Sequence, residues 1–179
     1  MVSMILTGLY ETLLMTAASS FFSYVIGIPL GVLLVVSDTN GIKPMPVLNG
    51  VLGSVINLIR SVPFMILLIM VIPLTRLMVG TSMGPVAVIP PLVIAAAPYI
   101  ARMVESSLKE VDAGVIEAAK SMGASNMQII FKVLLPESRP SLLVGAAISV
   151  TTILGYSAMA GFTGGGGLGT IAINYGYYR

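Results

Sequence analysis

The residues able to do polar chemistry are few, and they cluster. Five of the seven acidic residues and four of the nine basic ones lie between Glu105 and Pro140. At the centre of that stretch stand Glu117, Ala118, Ala119, Met122 and Gly123. A lone carboxylate beside two small side chains has no base, nucleophile or metal co-ligand next to it. That points away from catalysis, and the small side chains of Ala118 and Ala119 would let another surface come close. The chain has no cysteine and no histidine, which removes disulfides, thiol nucleophiles, Ser-His-Asp arrangements and the commonest metal ligands. No catalytic residue, metal or cofactor is expected, and a membrane-embedded hydrolase would lack both nucleophile and base.

Local signals shape this stretch. Asp112 can N-cap a helix running to Met122, and Gly123 suits the left-handed residue that ends it. Val115, Ala118, Ala119 and Met122 recur at i, i+3, i+4 and i+7, the spacing of one apolar face, with Glu117 and Lys120 pointing elsewhere. Ser125 starts a second helix, Gln128 completes a capping box, and Pro136 is expected to close it after Val133-Leu134-Leu135. Two short helices hinged at Gly123 result. They could lie with their apolar face in lipid headgroups. Against that, Ala118 and Ala119 contribute little membrane affinity but would admit a partner.

The remainder of the chain must hold this loop in place, and its composition says how. Hydrophobic residues make up 56% and charged ones 9%, against about 25% charged in an ordinary globular domain. The bilayer is therefore the main solvent. A net charge of +2 is no footprint for nucleic acid, and the twelve methionines are flexible filler for apolar packing. Leu13 to Ser37 is uncharged for 25 residues, enough for one span, since ~20 apolar residues cross the core. It lacks the basic leader of a signal peptide. Val47 to Ile59 reads as an amphipathic segment and Pro63 to Val79 as span two, separated where Pro63 disturbs the helix. Span three covers about Met83 to Ile100, with prolines 85, 90, 91 and 98 implying kinks whose freed carbonyls need neighbouring helices. Span four covers about Ser141 to Ala160. A loop at Gly164–Gly167 and a short apolar tail follow.

Basic residues favour cytoplasmic loops. Arg102, Lys109, Lys120, Lys132 and Arg139 lie between spans three and four, and Lys43 between spans one and two. The parity agrees: the 105–140 loop is cytoplasmic, and the N-terminus and the glycine-rich segment are outside. Arg76 would snorkel at the outer end of span two. Arg60 has two readings, a functional charge deep in the membrane or a side chain snorkelling near the cytoplasmic end of its span, and the second is expected. Gly27 and Gly31 fit a small-residue helix contact.

Glu117-Ala118-Ala119, then Gly123, then Val133-Leu134-Leu135-Pro136 resembles the EAA motif, E-A-A-x3-G-x9-[hydrophobic]-x-L-P, of bacterial ATP-binding-cassette importer permeases. Further stretches extend the likeness along nearly the whole chain, among them Gly27-Ile28-Pro29-Leu30-Gly31, Ile59-Arg60-Ser61-Val62-Pro63-Phe64, Ala97-Pro98-Tyr99-Ile100-Ala101-Arg102 and Gly155-Tyr156-Ser157-Ala158-Met159. Together they resemble the methionine importer permease family. That resemblance implies an all-α, polytopic helical bundle of the type I importer fold in the bacterial inner membrane, forming one permease domain over 1–179. It also implies a homodimer of permease subunits, a dimer of cytoplasmic ATP-binding subunits that do the hydrolysis, and an extracytoplasmic methionine-binding lipoprotein. A fifth span of ~20 apolar residues would follow Tyr175-Gly176-Tyr177. Four are visible before Arg179.

On this reading the helix from Asp112 to Met122 is the coupling helix, and the substrate is methionine, L or D. Met159, with Ser157 beside it, would either pack between helices or help close a central gate. Glycines 164 to 167 would be a flexible outside loop or the place where the binding protein docks. A related permease could carry another small solute. An ion-coupled transporter or channel would place ionisable residues within its spans, and spans one, three and four have none in their cores.

Overall fold

The computed structural model describes residues 1–178. The described residues form helices of very different lengths. α1 (Val2–Ser37) has 36 residues, about 54 Å at 1.5 Å per residue, so it overhangs a hydrocarbon core of about 30 Å. It starts well before Leu13 and carries Glu11 and Thr12 within it. Its buried side is a row of small residues, including Thr12, Thr16, Ser19, Ser23, Gly27 and Gly31, spaced by three or four so that they share one face.

That face lies against α4 (Pro85–Lys109). A Cβ at Gly27 would come within 2.6 Å of Ile100, and one at Gly31 within 2.6 Å of Val104 and the Ala101 carbonyl. The two backbones therefore approach as closely as a small-residue contact allows. α4 has 25 residues and stays helical through Pro90, Pro91 and Pro98. Among the described residues, no neighbouring side chain bonds the carbonyls that these prolines free, and the buried hydroxyls of Thr16, Ser19 and Ser23 on α1 are unpaired.

α2 (Pro46–Ser61) and α3 (Phe64–Val79) are separated at Val62-Pro63 and bent by 107°. Val62 is extended (φ −82°, ψ 123°), as the residue before a proline prefers. α1, α4 and residues Arg139–Thr163 are each long and apolar enough to cross a membrane, and the bent pair is a candidate fourth, broken span.

Past α4 come α5 (Ala113–Ser121), α6 (Asn126–Ile129), a π turn (Ile130–Leu134) and α7 (Leu135–Glu137). Pro136 does not close the helix. It lies in the first turn of α7, and the Leu135 N–H reaches back five residues to the Ile130 carbonyl. The wide turn absorbs a residue that cannot donate to a four-residue ladder. α8 (Arg139–Met159) runs on into a 3-10 turn (Ala160–Thr163). The tail is folded as well, as α9 (Gly167–Ala172) and a second π turn (Ile173–Tyr177). Arg179, the last residue of the tail, lies outside the described residues.

One core cluster joins Ala96, Ile100, Val104 and Leu108 of α4 to Ala119, Ile129, Ile130, Leu134 and Ile153. A second gathers Met15, Phe64, Leu68, Val88, Leu92 and Ala160.

Candidate functional site: the loop helices and the cavity at the broken span

The 105–140 stretch begins inside α4, because that helix continues to Lys109 and buries Glu105. After it, the caps set the geometry. Asp112 Oδ1 accepts from the Gly114 N–H at 2.7 Å, satisfying one of the first amides of α5. At the other end Gly123 has φ +80°. Its N–H bonds the Lys120 carbonyl at 2.9 Å, and that of Ala124 bonds the Ala119 carbonyl at 3.1 Å. This pair of bonds is a Schellman closure. No neighbour lies within 4 Å of a Cβ built on Gly123, so the dihedral alone demands glycine. The capping box follows: Gln128 Oε1 accepts from the Ser125 N–H at 2.8 Å, and Ser125 Oγ accepts from the Gln128 N–H at 3.4 Å.

The five singled-out residues divide between two sides. Ala119 is buried in the core beside Ile129 and Leu134. Glu117, Ala118, Met122 and Gly123 are exposed, Met122 at 81%. The four apolar residues therefore do not share one face toward a partner. Ile116 and Ala119 turn inward, while Val115, Ala118 and Met122 are exposed, as is Glu117. α5 presents one side to the body of the chain and offers the other.

Behind α5, four charged side chains hold helix ends together. Arg102 Nη1 donates to Glu105 Oε2 at 2.6 Å and its Nη2 to the Gly53 carbonyl of α2 at 3.1 Å. Lys109 Nζ lies 2.9 Å from Glu105 Oε1 and 2.8 Å from Asp38 Oδ2. The Arg102, Glu105, Lys109 spacing is legible in sequence as an i, i+3 and i+7 run on one helical face. Nothing local signals Asp38, which arrives from the end of α1. The Lys109 ammonium, with the Thr39 N–H, holds the Asp38 carboxyl below its ordinary value. A cavity of about 360 Å³ separates these charges from α5, with Val35, Ile42, Ile116 and Lys120 in its wall.

The opposite end of the bundle is pinned as well. Glu11 Oε2 accepts from the Gly167 N–H at 2.6 Å and Thr12 Oγ1 from the Leu168 N–H at 2.9 Å, a charged and a neutral cap for α9. The Gly84 N–H bonds the Gly164 carbonyl at 3.0 Å. The glycine turn is therefore packed and bonded. Gly164, Gly166 and Gly167 all take positive φ.

Ser157 and Met159 are not brought together. Ser157 is buried and donates to its own helix's Leu154 carbonyl at 2.7 Å. Met159 is 45% exposed on another side of α8. Arg76, at the end of α3, donates from Nε to Ser82 Oγ at 3.2 Å.

Arg60 is exposed, in the last turn of α2. It lines a cavity of about 160 Å³ together with Phe64, Ala95, Tyr99 and Tyr156. Ala95 and Tyr99 lie on either side of the midpoint of α4. The bend at Pro63 brings Arg60 to this cavity, and sequence distance from a loop does not report such a bend. Phe64 and Tyr156 stack directly on each other in the cavity wall, with ring centroids 4.6 Å apart and planes 6° from parallel.

Residues 27–179 match the model of the binding-protein-dependent transport system inner membrane component family. The chain is 49% identical to the probable D-methionine transport system permease protein of Vibrio cholerae over 98% of its own length and 78% of that protein. It is 52% identical to the D-methionine transport system permease protein of Yersinia pestis, over 86% of this chain and 71% of that one. With the Escherichia coli K12 counterpart it shares 50% identity over 90% and 74%. It superposes on an inward-facing structure of the MetNI methionine ABC transporter with a TM-score of 0.98, at 50% identity, covering 99% of this chain and 82% of that one. An amino acid ABC transporter structure at 22% identity, with a TM-score of 0.78 over 99% of this chain and 81% of that one, shares the fold. Helix order, loop caps and these likenesses agree that the chain belongs to the binding-protein-dependent transport system inner membrane component family, among the permeases of methionine systems.

Proposed function

We propose that this permease carries methionine, L or D, across the inner membrane by alternating access driven by a cytoplasmic ATPase. The observation that carries the reading is the two-sided α5. Its Ala119 side joins the core cluster shared with the π turn and α4, and its Glu117, Ala118 and Met122 side is exposed. A partner that pushes on the open side moves α4 and α8 with it, because close-packed interiors transmit displacement. Identity of 49–52% to D-methionine system permeases supports methionine as the solute.

The assembly is a homodimer of permease subunits with two ATP-binding subunits seated on the α5 helices. An extracytoplasmic methionine-binding lipoprotein delivers solute on the side of the Gly164–Gly167 turn. The N-terminus lies outside, and Met159 of each protomer closes the pathway toward that side. The exposure of Met159 on α8 supports this, since a gate side chain must reach beyond its own subunit. Hydrolysis belongs to the partner, and this chain converts its closure into movement of the spans, a rigid-body switch.

Proteoliposomes holding the full-length permease with its ATPase, supplied with the lipoprotein, test the reading. Uptake of radiolabelled methionine should require ATP on the α5 side and ignore collapse of ion gradients. Uptake that follows a sodium or proton gradient without ATP overturns it, and ATP-driven uptake of a different solute overturns the choice of methionine.

A further inference from the structure

Arg60 has no ion pair or hydrogen bond with any described residue, although it stands beside the break of the bent α2–α3 pair, a candidate broken span. An ionisable side chain within a span is costly unless it faces a pathway or finds a counter-charge. The described residues supply none. Glu11 is engaged with Gly167. Asp38 and Glu105 belong to the charge cluster at the far end of α4. Glu110, Asp112, Glu117 and Glu137 lie on the loop beyond it.

We infer that Arg60, Phe64, Tyr99 and Tyr156 form a way-station in the translocation path that binds a free amino acid, its carboxylate on the guanidinium and its side chain against the aromatic rings. The inference rests on the import reading and names the residues that hold the solute in transit. Four observations meet there. The guanidinium is planar with five donors, suited to a carboxylate. The cavity holds about 160 Å³, and a void of about 150 Å³ accepts a molecule the size of benzene. The stacked Phe64 and Tyr156 rings suit a thioether, whose sulfur makes favourable contacts with aromatics. The cavity also lies at the first residue of α3, where the span is broken and the Phe64 and Met65 amides lack helical partners. Discontinuous spans place such partial positive charge beside anionic groups. The counter-charge of Arg60 is then the cargo itself, present only while a solute passes.

A diazirine analogue of methionine, added to the full-length permease–ATPase complex in nanodiscs, tests this without any variant. Label should fall on Phe64, Tyr99 or Tyr156, and methionine should compete for it while methioninamide, which lacks the carboxylate, should not. Arg60→Gln should reduce the label and the ATP-driven uptake about tenfold, as loss of a charged hydrogen-bond donor does. Arg60→Lys should retain part of both, and assembly with the ATPase should be unchanged. Equal competition by methioninamide, or label indifferent to Arg60→Gln, overturns the inference and assigns Arg60 to lipid phosphate. Wild-type uptake without label at these residues overturns it too and leaves the import reading standing. A wild-type complex that imports no methionine overturns both.

Discussion

Lys109 and Asp38 meet across two helix ends: Nζ of the last residue of α4 lies 2.8 Å from Oδ2 of the first residue after α1. Both side chains are partly exposed, at 46% and 31%, so the pair is screened by water and salt. Asp38→Asn should lower stability by only about 0.2–1 kcal/mol, with the difference shrinking as salt rises. Thermal unfolding of the purified complex at two salt concentrations measures this.

The same pair fixes a pH dependence. The folded Asp38 carboxyl is more acidic than its ordinary 3.8 because Lys109 donates to it and the Thr39 N–H adds a second bond. A depressed folded value means the contribution is complete above the unfolded value and disappears as pH falls through the folded one. The stability difference between wild type and Asp38→Asn should therefore stay flat from about pH 5 up to the alkaline range in which Lys109, itself raised by Asp38, loses its proton, and close at the acid end only below about pH 4. Thermal unfolding at stepped pH reads it, and a difference that vanished near neutrality would disprove the assignment.

Gly123→Ala keeps the amide but forces a Cβ into left-handed backbone, at a cost of about 1–2 kcal/mol. Gly123→Pro also removes the N–H that closes on Lys120. Both variants should insert and fold their spans. Methionine-stimulated ATPase activity should fall in the alanine variant and be abolished by proline. Normal stimulation in Gly123→Pro would end the coupling assignment of α5.

At the other end, Glu11→Ala should release the amides of α9. Hydrogen exchange at Gly167 should rise strongly, and at Leu168 less, because Thr12 still accepts from it. Glu11→Gln retains an acceptor and should lie between, since a neutral acceptor loses the charge-assisted part of the bond.

Met159→Ala and Ser157→Ala separate the two residues. Removing the exposed methionine should raise ATPase activity in the absence of methionine. Removing a hydroxyl that bonds only its own helix backbone should change activity little, because such bonds contribute little net stability. Equal effects would tie both residues to one role.

Features encoded by neighbouring residues were legible from sequence. Asp112, Gly123, Ser125 and Gln128 each act within one helical turn, and their caps formed as the residue types require. The spans were legible because hydropathy reports length, although α1 begins earlier, at Val2, since Glu11 finds its partner 156 residues away. Tertiary relationships were not legible. Asp38 meets Lys109 only after α1 and α4 pack. The cavity that Arg60 lines depends on a bend of 107°. The apolar face read on α5 is split because helical spacing groups residues without saying which of them has a core to enter. Ile116 and Ala119 join the core cluster with Ile129 and Leu134, and Val115 and Met122 stay exposed.

The π turn over Ile130–Leu134 carries one residue more than an ordinary turn, and in a helix each residue is worth about 100° of rotation. It therefore sets the phase between the caps at Ser125 and the span that begins at Arg139. Removing one residue there would hardly shorten the connection. It would swing α5 around the axis and point its exposed side at a different azimuth, so the loop's direction of contact is written in a count of residues remote from the motif that makes the contact.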